Sequence, residues 1–238
     1  ILPPFRMRDF GVTSPESDLL NNAVQKINDT FKIGVKELSR EDQNFEGEIA
    51  VLKKNRAKKK SKKELLVFYG SSTLRLWKNV AQDFPRWDTL NLGFGGAFIH
   101  SLNDYFEELF RDVQPKVIVL YLGGNDLTLG FTASKIVAEI VSFIDRVQAQ
   151  FPNTKILNIS IKPSFERQHE LKKINEINAQ LGEKIETLHN VYQVDFYESL
   201  LKNKRINEVY FLQDGLHLSA EGYQVLRKAI DEKLDHLI

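Results

Sequence analysis

The chain has 238 residues, 42% hydrophobic and 11% aromatic, with a formal net charge of +1. That length suggests one large domain, or one domain with an appendage, and enough apolar side chains for a sizeable core. The sequence has no cysteine, which excludes disulfides, Cys-ligated zinc, iron–sulfur clusters and a cysteine nucleophile.

The chain opens Ile1-Leu2-Pro3-Pro4 without Met, so its N-terminus is expected to be trimmed. A removed signal peptide would leave no trace, so export and cytoplasm both stay open. Ser14-Pro15-Glu16-Ser17-Asp18 carries helix-start signals. Leu19, Leu20, Val24, Ile27 and Phe31 then recur at near-helical spacing up to Gly34. A second short pattern puts Phe45, Ile49 and Leu52 on one face. Both helices are too short to be stable alone and are expected to pack on the body that follows. Eight cations and no acid stand between Lys53 and Lys63, which leaves the rest of the chain at −7. No aromatic interleaves them as a nucleic-acid stacking platform requires, so the tract reads as a solvated connector and no nucleic-acid partner is expected. Residues 1–63 are therefore expected to form a helical extension with a basic linker, and 64–238 the main domain.

From Glu64 onward the pattern alternates. Short apolar runs at 65–69, 89–92, 117–122, 155–160 and 191–195 predict five strands. Helical stretches are predicted at 73–83, 98–111, 133–150, 165–187, 196–203 and 219–237. Strands apolar on both faces and separated by helices imply a parallel sheet covered on both sides, a three-layer α/β/α sandwich. The longest apolar run, Val117 to Leu122, is far short of the roughly 18 residues a membrane-spanning helix needs. Open sheets of this kind bind ligands at the carboxyl ends of their strands, so chemistry is expected just after each run.

There stand Gly70-Ser71-Ser72-Thr73, Asn91-Leu92-Gly93-Phe94-Gly95-Gly96, Gly123-Gly124-Asn125-Asp126 and, further on, Asp214-Gly215-Leu216-His217. Singly, each has a plainer reading: a helix cap for the serine, a turn for Asn125, an Asx-turn for Asp214. Together they form the set that acyl transfer needs. A serine hydroxyl attacks only when a base takes its proton, and an imidazole, here His217, suits that task. Asp214 can accept the other ring N–H and fix the tautomer. The N–H groups of Ser72 and Gly96 and the amide of Asn125 can meet the developing oxyanion. Gly96 has no Cβ to keep substrate away from its backbone.

These residues resemble the SGNH (GDSL) hydrolases, esterases and acylhydrolases on a flavodoxin-like sandwich, and the resemblance runs from about Leu65 to Leu237. Phe68-Tyr69-Gly70-Ser71-Ser72-Thr73 matches the first block, which implies that Ser72 is the nucleophile. Asn91 through Gly96, Gly123 through Asp126, and Asp214 through His217 match the others and imply Gly96, Asn125, Asp214 and His217 as their working residues. The first block is closest to a bacterial branch reading Phe-Tyr-Gly-Ser-Ser with a Trp soon after, here Trp77. Ser71 stands where the namesake motif has Asp, so the choice of Ser72 over Ser71 rests on register.

His100, His169, His189 and His236 have no partner pattern and read as structural or surface residues. Ser219 reads as the cap of the last helix. Gly93-Phe94-Gly95-Gly96 lacks the Lys-Ser/Thr of a phosphate loop, and no metal-ligand spacing appears. Trp77, Phe94, Phe98 and Phe131 either line an acyl or sugar pocket or pack in the core. The resemblance implies a serine esterase or acylhydrolase that cleaves a small-molecule or carbohydrate ester, short acyl or O-acetyl groups favoured, without metal or organic cofactor. The alternatives are a lysophospholipase- or thioesterase-type acylhydrolase, or a non-catalytic binding module on the same fold; the complete polar set argues against the last.

Overall fold

A computed structural model describes residues 44–59 and 62–237. The helix expected over residues 19–31 lies outside them. The main compact unit begins at Phe45. In chain order it contains α1 (Glu46–Lys58), β1 (Leu65–Gly70), α2 (Ser72–Arg75), α3 (Val80–Asp83), β2 (Asp88–Asn91), α4 (Ile99–Phe110), β3 (Val117–Tyr121), α5 (Ala133–Gln150), β4 (Lys155–Ile159), α6 (Leu171–Ile185), β5 (Val191–Val194), β6 (Leu201–Lys202), β7 (Arg205–Ile206) and α7 (Ala220–Leu237).

The five long strands pair in parallel in the order β2-β1-β3-β4-β5. Side chains alternate across each strand, so one strand feeds two cores. Val67, Tyr69, Ile118 and Leu120 face α1, α4, α5 and α6. Leu66, Phe68, Val119 and Tyr121 face α2, α3 and α7. This is the expected sandwich of α/β type, with the flavodoxin-like strand order. From β1 the chain crosses to β2 on one side and from β3 to β4 on the other, so the carboxyl ends of these two parallel strands form the switch point where open α/β sheets bind ligands.

Three predicted helices differ in detail. The stretch at 73–83 divides into α2 and α3, and the stretch at 165–187 begins its α-helix only at Leu171 after a 3₁₀ turn. At 196–203 the chain makes a 3₁₀ turn and then the β6–β7 hairpin. Asn203 and Lys204 both take positive φ, 51° and 61°, which a two-residue hairpin turn requires. The basic tract is not wholly a connector either. Its first half continues α1, Lys53 and Arg56 reach Glu108 on α4, and the N–H groups of Lys62 and Lys63 converge on the Asp88 carboxylate.

Phe45, Ile49 and Leu52 enter the core on the predicted face. Of the two readings open for Trp77 and Phe94 the core one applies: both are buried, Trp77 against Phe84 with its ring N–H donating to Asp83 at 2.7 Å, and Phe94 against Tyr105. Phe98 is also buried and stacks on His100. Ser219 caps α7 by accepting from the N–H of Gly222 at 3.1 Å.

Candidate active site

β1 ends at Gly70, where a Cβ would stand 2.4 Å from the carbonyl oxygen of Tyr121 on β3. Only glycine lets the two strands stay paired to their last residue there. The chain then turns through Ser71, whose carbonyl accepts from Leu74 and Arg75 at 3.0 and 3.2 Å, and Ser72 becomes the first residue of α2. The Ser72 N–H thus has no acceptor within the helix. The second block is tied to the first, since Asn91 Nδ2 donates to Leu74 O at 2.6 Å and Phe94 N–H donates to Gly70 O at 3.0 Å. Gly96 follows with φ of 71°, in the left-handed region that a side chain would strain.

His217 comes from the loop before α7. Its Nε2 lies 3.1 Å from Ser72 Oγ, across 145 residues of sequence. Its Nδ1 lies 2.7 Å from Asp214 Oδ2. Asp214 Oδ1 accepts from the N–H groups of Leu216 and His217, both at 2.9 Å. The Asx-turn reading and the His-partner reading of Asp214 therefore hold together: one oxygen shapes the turn and the other meets the ring. Partial desolvation raises the Asp214 carboxyl, but the His217 ring hydrogen bond, the two N–H donors and the His217 charge outweigh it and hold the group at about 2. An ionised Asp214 accepts the Nδ1 proton, which leaves Nε2 with a lone pair toward the Ser72 hydroxyl.

Asn125 follows β3. Its side chain does not cap the turn after it. Nδ2 donates to Ala97 O at 2.9 Å, and Oδ1 accepts from Arg167 at 3.1 Å. The amide thereby links the third block to the residue after Gly96. Ser72, Asn125 and His217 are half-buried and Gly96 is exposed, so substrate can reach the group from solvent. A cavity of about 620 Å³ lies elsewhere, along the open edge of β5, and none of these residues lines it. No cluster of metal-ligating side chains occurs among the described residues.

Three residues packed around these groups had no place in the sequence reading. Lys162, just after β4, is buried, donates to Leu216 O at 2.5 Å and lies over the Phe211 ring. Burial and the nearby Arg167 charge push its ammonium down to about 7, against the pull of Asp214 and Glu166. Arg167, also buried, follows five residues later. Glu48 of α1 accepts from the N–H of Gly95 at 2.8 Å and from Arg75 at 3.2 Å. The rule of looking after each apolar run would have found Lys162. Neither Arg167 nor Glu48 carries a sequence signal.

The model of the GDSL-like Lipase/Acylhydrolase family matches residues 67–225. Among curated proteins, the platelet-activating factor acetylhydrolase IB subunit alpha2 of Rattus norvegicus and that of Homo sapiens are each 25% identical over 187 residues, 75% of this chain and 80% of theirs. Among solved structures, a GDSL-like lipase from Bacteroides thetaiotaomicron aligns with a TM-score of 0.68 at 19% identity, covering 80% of this chain and 98% of that one. A carbohydrate esterase family 3 structure from Talaromyces cellulolyticus gives 0.60 at 15%, over 73% and 97%. All four blocks, from Phe68 to His217, fall inside the matched stretch, and the chain belongs to the GDSL-like lipase/acylhydrolase family, hydrolases acting on esters.

Proposed function

We propose that the protein is a serine esterase that removes short acyl groups, acetyl foremost, through an acyl-enzyme on Ser72. The observation that carries this reading is the unbroken chain Asp214–His217–Ser72, at 2.7 and 3.1 Å. Ser72 Oγ attacks the ester carbonyl while its proton passes to His217 Nε2. The carbonyl oxygen becomes an oxyanion facing the N–H groups of Ser72 and Gly96 and Asn125 Nδ2; one such donor is typically worth roughly 10² to 10³ in turnover. The intermediate collapses, the carbon–oxygen bond to the alcohol breaks, and His217 returns the proton to the alcohol. Water then attacks the acyl-serine with His217 again as base, which releases the carboxylic acid and restores the hydroxyl. Asp214 keeps the ring in the productive tautomer throughout. The acetylhydrolase names of the curated relatives favour a short acyl group. The alcohol half is taken to be a small molecule or a carbohydrate.

The test uses the purified chain and p-nitrophenyl esters of increasing acyl length. Activity is expected to be highest with acetate and to be lost in Ser72→Ala and in His217→Ala, while Ser71→Ala retains most of it. A preference for long chains would refute the acyl assignment. An active Ser72→Ala would refute the mechanism, and an inactive Ser71→Ala beside it would move the nucleophile by one residue.

A further inference from the structure

We propose that Arg167 is the positioning residue of the oxyanion donor Asn125, a role that rests on the catalytic reading above. A side-chain amide has two ends of nearly equal shape and opposite polarity, and only its NH₂ end can serve an oxyanion. Which end faces the reacting carbonyl must therefore be fixed by the neighbours. Here they leave one choice. Oδ1 accepts from the Arg167 guanidinium at 3.1 Å, and Nδ2 donates to Ala97 O at 2.9 Å. A flipped amide would set its NH₂ against a group that only donates and its oxygen against a group that only accepts, so both bonds would be lost. Nδ2 keeps a second proton beyond the one given to Ala97 O, and in this proposal that proton serves the oxyanion.

Arg167 is itself held in place. It is buried, its Nε donates to Glu166 Oε2 at 3.0 Å, and its backbone N–H donates to the buried Ser164 hydroxyl at 3.3 Å. A guanidinium stays charged in any protein setting. A permanent cation on the oxygen end draws electron density through the amide and makes the opposite N–H a stronger donor, as hydrogen bonds in series do. That gain is largest when the acceptor carries a full negative charge, which occurs only in the tetrahedral intermediate. The same segment also holds the acid–base loop: Phe165 and Glu166 donate through their N–H groups to Gly215 O at 2.9 and 3.3 Å. The loop after β4 thus fixes the His217 turn with one part and the oxyanion donor with another. A purely packing role for Arg167, with Glu166 neutralising a buried charge, makes a different prediction.

Four proteins separate the two: wild type, Arg167→Met, Asn125→Ala and the double variant, assayed with p-nitrophenyl acetate. Arg167→Met is expected to lower kcat by about 10- to 100-fold and to change KM by less than about threefold, since the contact matters most at the oxyanion. In the Asn125→Ala background the same substitution is expected to cost less than about twofold, because its route is already gone. If Arg167→Met does not fold, Arg167→Lys, which keeps the charge without the guanidinium fork, is read by the same cycle. The inference is overturned if the full loss persists in the Asn125→Ala background, if kcat does not change, or if only KM moves. A Ser72→Ala variant that stays active would instead overturn the catalytic reading, and this inference with it.

Discussion

Asp126, the residue after Asn125, is buried with its carboxyl oxygens 3.2 and 3.4 Å from the N–H of Ile99. It takes the place of a cap for α4, whose own N-cap residue, Phe98, has no side-chain oxygen. Burial pushes this carboxyl up to about 7, while the Ile99 N–H and its own backbone N–H draw it down. The folded state therefore keeps a proton that the unfolded chain gives up near the ordinary value of 3.8. Stability from this group is full below about pH 4, falls as pH rises, and is lost above about pH 7. Asn at this position keeps an acceptor oxygen and carries no charge. The melting temperature of Asp126→Asn relative to wild type should thus be more favourable at pH 8 than at pH 5; an equal difference at both would show that the carboxyl is not raised. Asp214 titrates the opposite way, ionised well below neutrality, so Asp126 loses its contribution as pH rises and Asp214 loses its own as pH falls toward about 2.

Strand ends and the loops after them carry the candidate site, and their geometry is set by close backbone approaches. Gly70 is the clearest, because the obstacle is the main chain of β3 and not a side chain that can move aside. Gly70→Ala should force β1 and β3 apart where Ser72 begins its helix, at a cost of about 1–3 kcal/mol or more. At this chain length that is a fall of roughly 2–12 °C in melting temperature, and activity should fall further than stability alone explains. Unchanged melting would mean that the strands part without strain. Helices α4, α5 and α7 were legible in the sequence because their apolar spacing is long and regular; α5 occupies the predicted 133–150. The β6–β7 hairpin was not. Two-residue strands are too short to show a period, and Asn203-Lys204 is a weaker turn signal than Asn-Gly.

For the molecule as a whole, α1 belongs to the body. Phe45 packs edge-on against Phe94 with ring centroids 4.9 Å apart, and Ile49 and Leu52 join the same core. Full burial of such side chains contributes roughly 1.5–3 kcal/mol each before ordering costs. A chain beginning at residue 64 is therefore expected to melt about 5–15 °C below one beginning at residue 45. It should also have a lower kcat, since Glu48 no longer braces Gly95 and Arg75; equal melting of the two would place the domain start at 64. Sequence alone determined the five strands, the sandwich and the four blocks, because periodicity and strand-end chemistry are local properties that neighbouring residues write together. Tertiary structure alone decided that His217 comes within 3.1 Å of Ser72, and that Glu48, Lys162 and Arg167 reach Gly95, Leu216 and Asn125. Those contacts join stretches 42 to 145 residues apart, and no pattern along the chain encodes a distance that only the packed sheet and its loops create.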